Sequence, residues 1–234
     1  MTPAEALRLP VVEPYLGSEL GGLGLLLVLF GRAGPERRRM LLAGAVLLPM
    51  LPMVPLLDLG YWAPRRLGGL LVGLEDLLYM MHVGAAAWFF ATRAQGFQPG
   101  NRAMRRALPR GLALTGIGLL AMGGLAQVGI GWSDALLLTA ATIGLVLLAR
   151  QPAHWRAALG GGLGNLFWLG LQLRLWFEIW PELAGWWEVE AWTGWLLFGL
   201  PIGDLAYVMV IGAVHPLAIA WLLEGGFFSA KRPS

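Results

Sequence analysis

RLGGLLVGLEDLLYMMHVGAAAWFFAT, residues 66–92, is long and apolar enough to read as a membrane-crossing helix, yet it carries Glu75 and Asp76 side by side. An ionisable side chain at bilayer depth costs about 2.5–3.5 kcal/mol on insertion scales. The stretch therefore raises the questions of fold and function together. Of the 234 residues, 57% are hydrophobic and only 13% charged, and the mean hydropathy is +0.65. An ordinary soluble domain carries about 25% charge. This composition predicts an integral membrane protein, and lipid restricts its spanning structure to helices or a closed barrel. The apolar runs are about 20 residues long and do not alternate, which selects helices.

The fold class expected is all-α: a single transmembrane domain over 1–234, with about seven helices at 15–31, 39–58, 66–92, 111–131, 134–150, 158–180 and 193–223. Basic residues orient it. With the N-terminus outside, thirteen Lys and Arg fall in inner segments and three (Arg8, Arg65, Arg66) in outer ones, while Arg174 lies within a span. This places the C-terminus inside, in a multi-pass protein of the cytoplasmic membrane. The leading MTPAEALRLPVVEP has no basic n-region, so no cleaved leader is expected. Eight of twelve tryptophans (62, 132, 176, 180, 186, 187, 192 and 195) fall near the outer face. They read as an interfacial belt or as a stacking platform for a flat ligand. Gly69–Gly73 and Gly160–Gly164 have small-xxx-small spacing, which lets helices approach closely.

Cysteine is absent, which removes thiolate chemistry and Cys-ligated metals. No cofactor, metal site or nucleic-acid partner is expected. The only lysine, Lys231, lies beyond the last span and excludes a retinal Schiff base of the usual kind. His82 and His215 lack metal-ligand spacing and read as hydrogen-bonded helix histidines, and His154 reads as solvated in an inner loop.

The remaining intramembrane charges are Glu75 and Asp76 on the third span, Arg174 and Glu178 on the sixth, and Asp204 on the seventh. At 1.5 Å rise per residue all five fall in the outer half of the bilayer. They form one cluster if those three spans are neighbours. Glu75, Tyr79 and His82 share one helix face, as do Asp204 and Tyr207. Pro201, one turn before Asp204, is expected to loosen its helix. Arg174 and Glu178, at i and i+4, are set for a salt bridge. Four carboxylates against one arginine cannot all ionise in low dielectric, so a protonated carboxyl beside an ionised one is expected, the arrangement that general acid–base work needs. A structural polar network that locks helices together is the other reading.

YWAPRRLGGLLVGLEDLLYMMHVG (61–84) and EAWTGWLLFGLPIGDLAYVMVIG (190–212) match in their Trp, Gly-Leu, Asp and a Tyr three residues after that Asp. This points to a duplication with halves at roughly 15–92 and 134–223. On these motifs the chain resembles the membrane lycopene cyclase domain family, the heterodimeric or fused type of actinobacteria, archaea and fungi. Each half of that family carries a Pro-x-Glu-Glu/Asp motif. Here Gly73-Leu74-Glu75-Asp76 keeps the acidic pair without the proline, and Pro201-Ile202-Gly203-Asp204 keeps the proline with Gly203 in place of Glu.

The resemblance implies a carotenoid end-group cyclase, an isomerase that closes a ring by protonating a terminal double bond. It implies Glu75 and Asp204 as acid and base, Asp76 tuning them, Tyr79 and Tyr207 positioning the substrate, and His82, Arg174 and Glu178 in the supporting network. The partners expected are the lipid bilayer, an apolar polyene or lipid-like substrate, and further copies or subunits in the membrane. The competing readings are a proton-coupled transporter and a catalytically inactive lipid- or carotenoid-binding subunit.

Overall fold

Glycine governs how the helices meet. A computed structural model of the chain describes residues 14–46, 48, 51, 54–57, 62, 64–99, 103–186 and 194–228. The helices described are α1 (Pro14–Arg32), α2 (Arg37–Ala45), α3 (Val54–Leu57), α4 (Leu74–Ala94), α5 (Ala103–Gln127), α6 (Trp132–Arg150), α7 (Trp155–Ile179) and α8 (Ile202–Leu222). Helices α4, α7 and α8 pack against one another at the centre, α1 and α2 cover α4, and α5 and α6 cover α8. The three spans that carry the intramembrane charges are thus neighbours.

Gly160 and Gly164 of α7 lie against Phe90 and Ala94 of α4. Gly161, next in sequence, meets the backbone of Gly212 on α8, where a Cβ on Gly212 would lie 2.7 Å from the Gly161 carbonyl oxygen. One glycine run therefore serves two neighbours. A Cβ on Gly84 of α4 would similarly lie 2.8 Å from the Ala43 carbonyl oxygen of α2.

Among the described residues, four helices are long and apolar enough to cross a membrane: Pro14–Arg32, Pro109–Gln127, Trp132–Arg150 and Ile202–Leu222. They mark a membrane protein, as do the exposed apolar faces that carry Leu27, Leu120, Leu145 and Phe167. Central α4 and α7 are as long but carry more charged residues, Glu75, Asp76 and Arg93 on α4 and Arg156, Arg174 and Glu178 on α7. The second expected span, 39–58, is described only as α2 and α3, with residues 47, 49, 50, 52, 53 and 58 outside the described set.

Two expected helix starts are corrected. Helix α4 begins at Leu74, not Arg66; residues 66–73 form a loop in which Gly68 and Gly69 take φ of +69° and +67°. Gly69 and Gly73 are therefore not a helix-packing pair. Helix α8 begins at Ile202. Ahead of it, β2 (Leu196–Leu197) and β3 (Leu200–Pro201) pair through a turn in which Phe198 and Gly199 both have positive φ. Pro201 is the N-cap of α8 and does not kink it. Hydropathy runs straight through both apolar loops, whereas glycine φ and proline end the helices.

At the opposite end, β1 (Gly96–Gln98) follows α4 and pairs antiparallel with β4 (Gly226–Phe228), which follows α8, with Phe97 opposite Phe227. Trp88 joins these rings at 4.8 and 5.8 Å. His154 is buried here and not solvated: its Nε2 accepts a 3.1 Å hydrogen bond from the Phe227 N–H. Burial lowers the pKa of this imidazole.

Two outcomes follow. Gly161→Val overpacks the α7–α8 contact and costs about 1–3 kcal/mol, seen as a lower melting temperature, while Gly116→Ala, whose Cβ meets nothing within 4 Å, does not. Since the folded His154 takes up a proton only below the unfolded value of about 6.5, its contribution is complete above that pH and is lost as pH falls through and below it. Melting at pH 5 and 7.5 in wild type and His154→Phe isolates that term; identical pH dependence in the two would refute it.

Candidate functional site

Where α4 and α8 begin, α1, α4, α6, α7 and α8 enclose a cavity of about 100 Å³. Its wall is mostly apolar and aromatic. Tyr15, Trp62, Tyr79, Trp176, Trp186 and Tyr207 contribute rings, and the carboxylates of Glu19, Asp76 and Asp204 line it. Trp62, Trp176 and Trp186 thus face a cavity, while Trp195 is exposed; Trp187 and Trp192 lie outside the described residues.

The repeat explains the arrangement. Asp76 and Asp204 are each the third residue of their helix, and Tyr79 and Tyr207 follow one turn later. Both Asp–Tyr pairs face the same cavity. A carboxylate in the first turn is favoured by the helix dipole.

The two aspartates differ in their partners. Asp76 accepts hydrogen bonds from Arg66 Nε at 2.7 Å and Nη2 at 3.2 Å, from the Tyr15 hydroxyl at 3.1 Å and from the Gly73 N–H at 2.8 Å. The last is a capping bond from the N-cap residue back to the third helix position. The Arg66 side chain is 5% exposed and that of Asp76 1%, so the pair is held out of water. For α8 the N-cap is Pro201, which has no N–H, so that capping bond has no counterpart at Asp204.

Glu75 and Asp76 divide their work. Asp76 faces the cavity. Glu75 is equally buried but turns to the preceding loop, where its Oε1 accepts the Leu67 N–H at 2.6 Å. Gly73 leaves the space its carboxylate occupies. The expectation that Glu75 shares a face with Tyr79 and His82 is therefore corrected: the Leu67 N–H of the 66–73 loop draws its carboxylate away.

The sequence reading passed over two residues that the structure brings in. Glu19 of α1 lies with its Oε2 3.0 Å from His82 Nδ1, and both side chains are buried. Its signal is the stripe Tyr15, Glu19, Gly22, Leu26, all buried at i+4, i+3 and i+4 steps. Gln172 of α7 lines the cavity, and its amide fills the space over Gly22. Arg66, counted above as an outer-loop charge, is in fact the partner of Asp76.

Arg174 and Glu178 do not join the cluster. They pair with each other on the outer face of α7, with side chains 50% and 62% exposed. The balance of four carboxylates against one arginine is thereby revised: each arginine takes one acid, and Glu19 has His82. The His215 Nε2–H donates a 2.7 Å hydrogen bond to the Ala43 carbonyl oxygen and so ties α8 to α2. Among the described residues, no group of three or more His, Asp or Glu is set to hold a metal.

Removing one member of a buried pair leaves a charge without compensation and costs about 3–5 kcal/mol. Arg66→Met should lower the melting temperature sharply, and Arg66→Met combined with Asp76→Leu should recover much of the loss; an unaffected single variant would show that the pair supports nothing. Neither a protein-family model, nor a curated protein, nor a solved structure matches the chain.

Proposed function

We propose that the chain is an intramembrane isomerase that closes a ring on the end group of a linear carotenoid. The observation that carries this reading is the pair of repeated Asp–Tyr elements turned onto one aromatic cavity, with a third carboxyl beside a histidine.

Such a reaction needs an acid, a base and a water-poor slot whose walls tolerate a cation. Asp204 serves as the acid: its O–H bond breaks as a C–H bond forms on the terminal double bond. The neighbouring double bond attacks the resulting carbocation, a ring C–C bond forms, and the charge moves into the ring. Glu19 is the base, taking a ring proton as a new double bond forms, with His82 holding its carboxylate in place. The proton then returns across the cavity to Asp204, so the product is an isomer and no redox partner is needed. Asp76, fixed by Arg66, is the standing negative charge opposite the cation, and Tyr79 and Tyr207 face its path. The sequence expectation paired Glu75 with Asp204 in an order it left open; here Glu19 takes the place of Glu75.

Topology fits this reading. Seven crossings, with the N-terminus outside the cytoplasmic membrane and the C-terminus inside, put the cavity near the outer face and thirteen basic residues on the inner side. A substrate dissolved in lipid enters between helices, so no aqueous channel is required.

Pigment chromatography of lycopene-accumulating cells that express the chain is the test. Wild type should yield cyclic carotenoids. Asp204→Asn and Glu19→Gln should each lose about 10²–10⁴-fold, while Glu75→Gln, whose carboxyl faces the loop, keeps most activity. Unchanged lycopene beside well-inserted wild-type protein overturns the proposal.

A further inference from the structure

The carboxylate-lined cavity, at about 100 Å³, holds an end group and not a long molecule; an engineered protein cavity of about 150 Å³ takes up benzene. If a lipid-borne substrate reacts there, the rest of it lies elsewhere. A second cavity, of about 140 Å³, adjoins the first across a shared wall residue. Leu136 of α6 lines both. It is buried against Met122 of α5, with Tyr207 of α8 packed on the same cluster.

The helices carry single stripes through both spaces. On α8, Asp204, Tyr207 and Val208 of the first cavity give way to Ile211, His215 and Leu222 of the second. On α6, Ser133 and Leu136 continue as Ala140 and Ile143. The distance from Asp204 to Leu222 is about 27 Å at 1.5 Å rise per residue. Among the described residues, no charged side chain lines the second cavity; its polar side chains are Thr115, Thr139 and His215, and the last is engaged with the Ala43 carbonyl oxygen. Two hydroxyls and no charge make a wall suited to hydrocarbon and not to an ionised head group.

We propose that the groove between α5, α6 and α8 holds the hydrocarbon tail of the molecule whose end group sits among the carboxylates, with Leu136 at the threshold. This rests on the reading of the first cavity as the site of a lipid-borne substrate. The acids select the end that reacts, and the groove selects a long, unbroken apolar chain behind it. A short or head-group-bearing lipid gains nothing from the second half of the site.

Glycines on α5 supply the test. Gly118 lines the groove, and a Cβ there meets nothing within 4 Å, so Gly118→Phe fills the groove with no backbone clash. Gly116 is equally open but outside the groove, which makes Gly116→Phe the control. Full-length protein in phospholipid nanodiscs is loaded with lycopene, in wild-type form and in an Asp204→Asn background that leaves the polyene unreacted. Retained lycopene is read by absorbance and induced circular dichroism. Gly118→Phe should reduce it by about tenfold or more, and Gly116→Phe should leave it within about twofold.

Equal retention in the two variants overturns the proposal, as does failure of wild type to retain lycopene. Loss of bound phospholipid alone in Gly118→Phe, seen by native mass spectrometry, also overturns it and assigns the groove to bilayer lipid. Retention that depends on Gly118 without any cyclic product upholds the groove and sinks only the ring closure.

Discussion

A guanidinium and a carboxylate, joined out of water where α4 starts, fix the geometry around the cavity. Arg66 folds back onto Asp76, and that return makes residues 66–73 a loop. It also sets Leu74 as the first residue of α4, so that Asp76 points inward while Glu75 is left for the loop amides. The guanidinium lies 5.9 Å from the Trp62 ring and brings that wall of the cavity into register. Two charges in low dielectric persist only when each satisfies the other and the remaining lone pairs are filled. Here Tyr15 and the Gly73 N–H fill them.

Likeness does not mean equivalence. Both stretches supply an Asp at the third helix position and a Tyr one turn on. Ahead of Asp76 stands Arg66 in a glycine loop; ahead of Asp204 stands a tight hairpin that ends in Pro201. The same local pattern thus yields two carboxyl groups in unlike settings, one bound by a permanent cation and a cap, the other placed beside a tyrosine after a proline that cannot donate. The flanking loop, and not the acid, separates them.

Much of this was legible in the residues. Long apolar runs foretold helices, and the matched Asp and Tyr marked two residue pairs that line one cavity, while the adjacency of their helices stayed open until the fold supplied it. What was not legible has physical causes. Leu67–Val72 and Trp195–Leu200 are as apolar as the helices they precede, so hydropathy gave no sign of where α4 and α8 start. Positive-φ glycines and an N-cap proline decided that. Glu19 stood in the sequence near the start of the first span, and Arg66 in what read as an outer loop. Each gains its meaning from a partner on another segment, His82 for one and Asp76 for the other, and pairing across segments leaves no periodic trace. Arg174 and Glu178 mislead for the opposite reason: their i, i+4 spacing is legible, but it is satisfied locally and faces outward.

The strand pair at the far end bears on the order of assembly. Phe97 pairs with Phe227, so the aromatic nest around Trp88 joins the middle of the sequence to its far end. During synthesis the first half emerges with α4 complete and one edge of β1 bare. It stays bare until α5 to α8 have been made and Gly226–Phe228 arrives to cover it. Closing so long a loop is slow compared with forming the helices themselves. The nascent protein therefore passes through a stage in which its helices are inserted but its last seam is open, and the final strand acts as the latch that ends it.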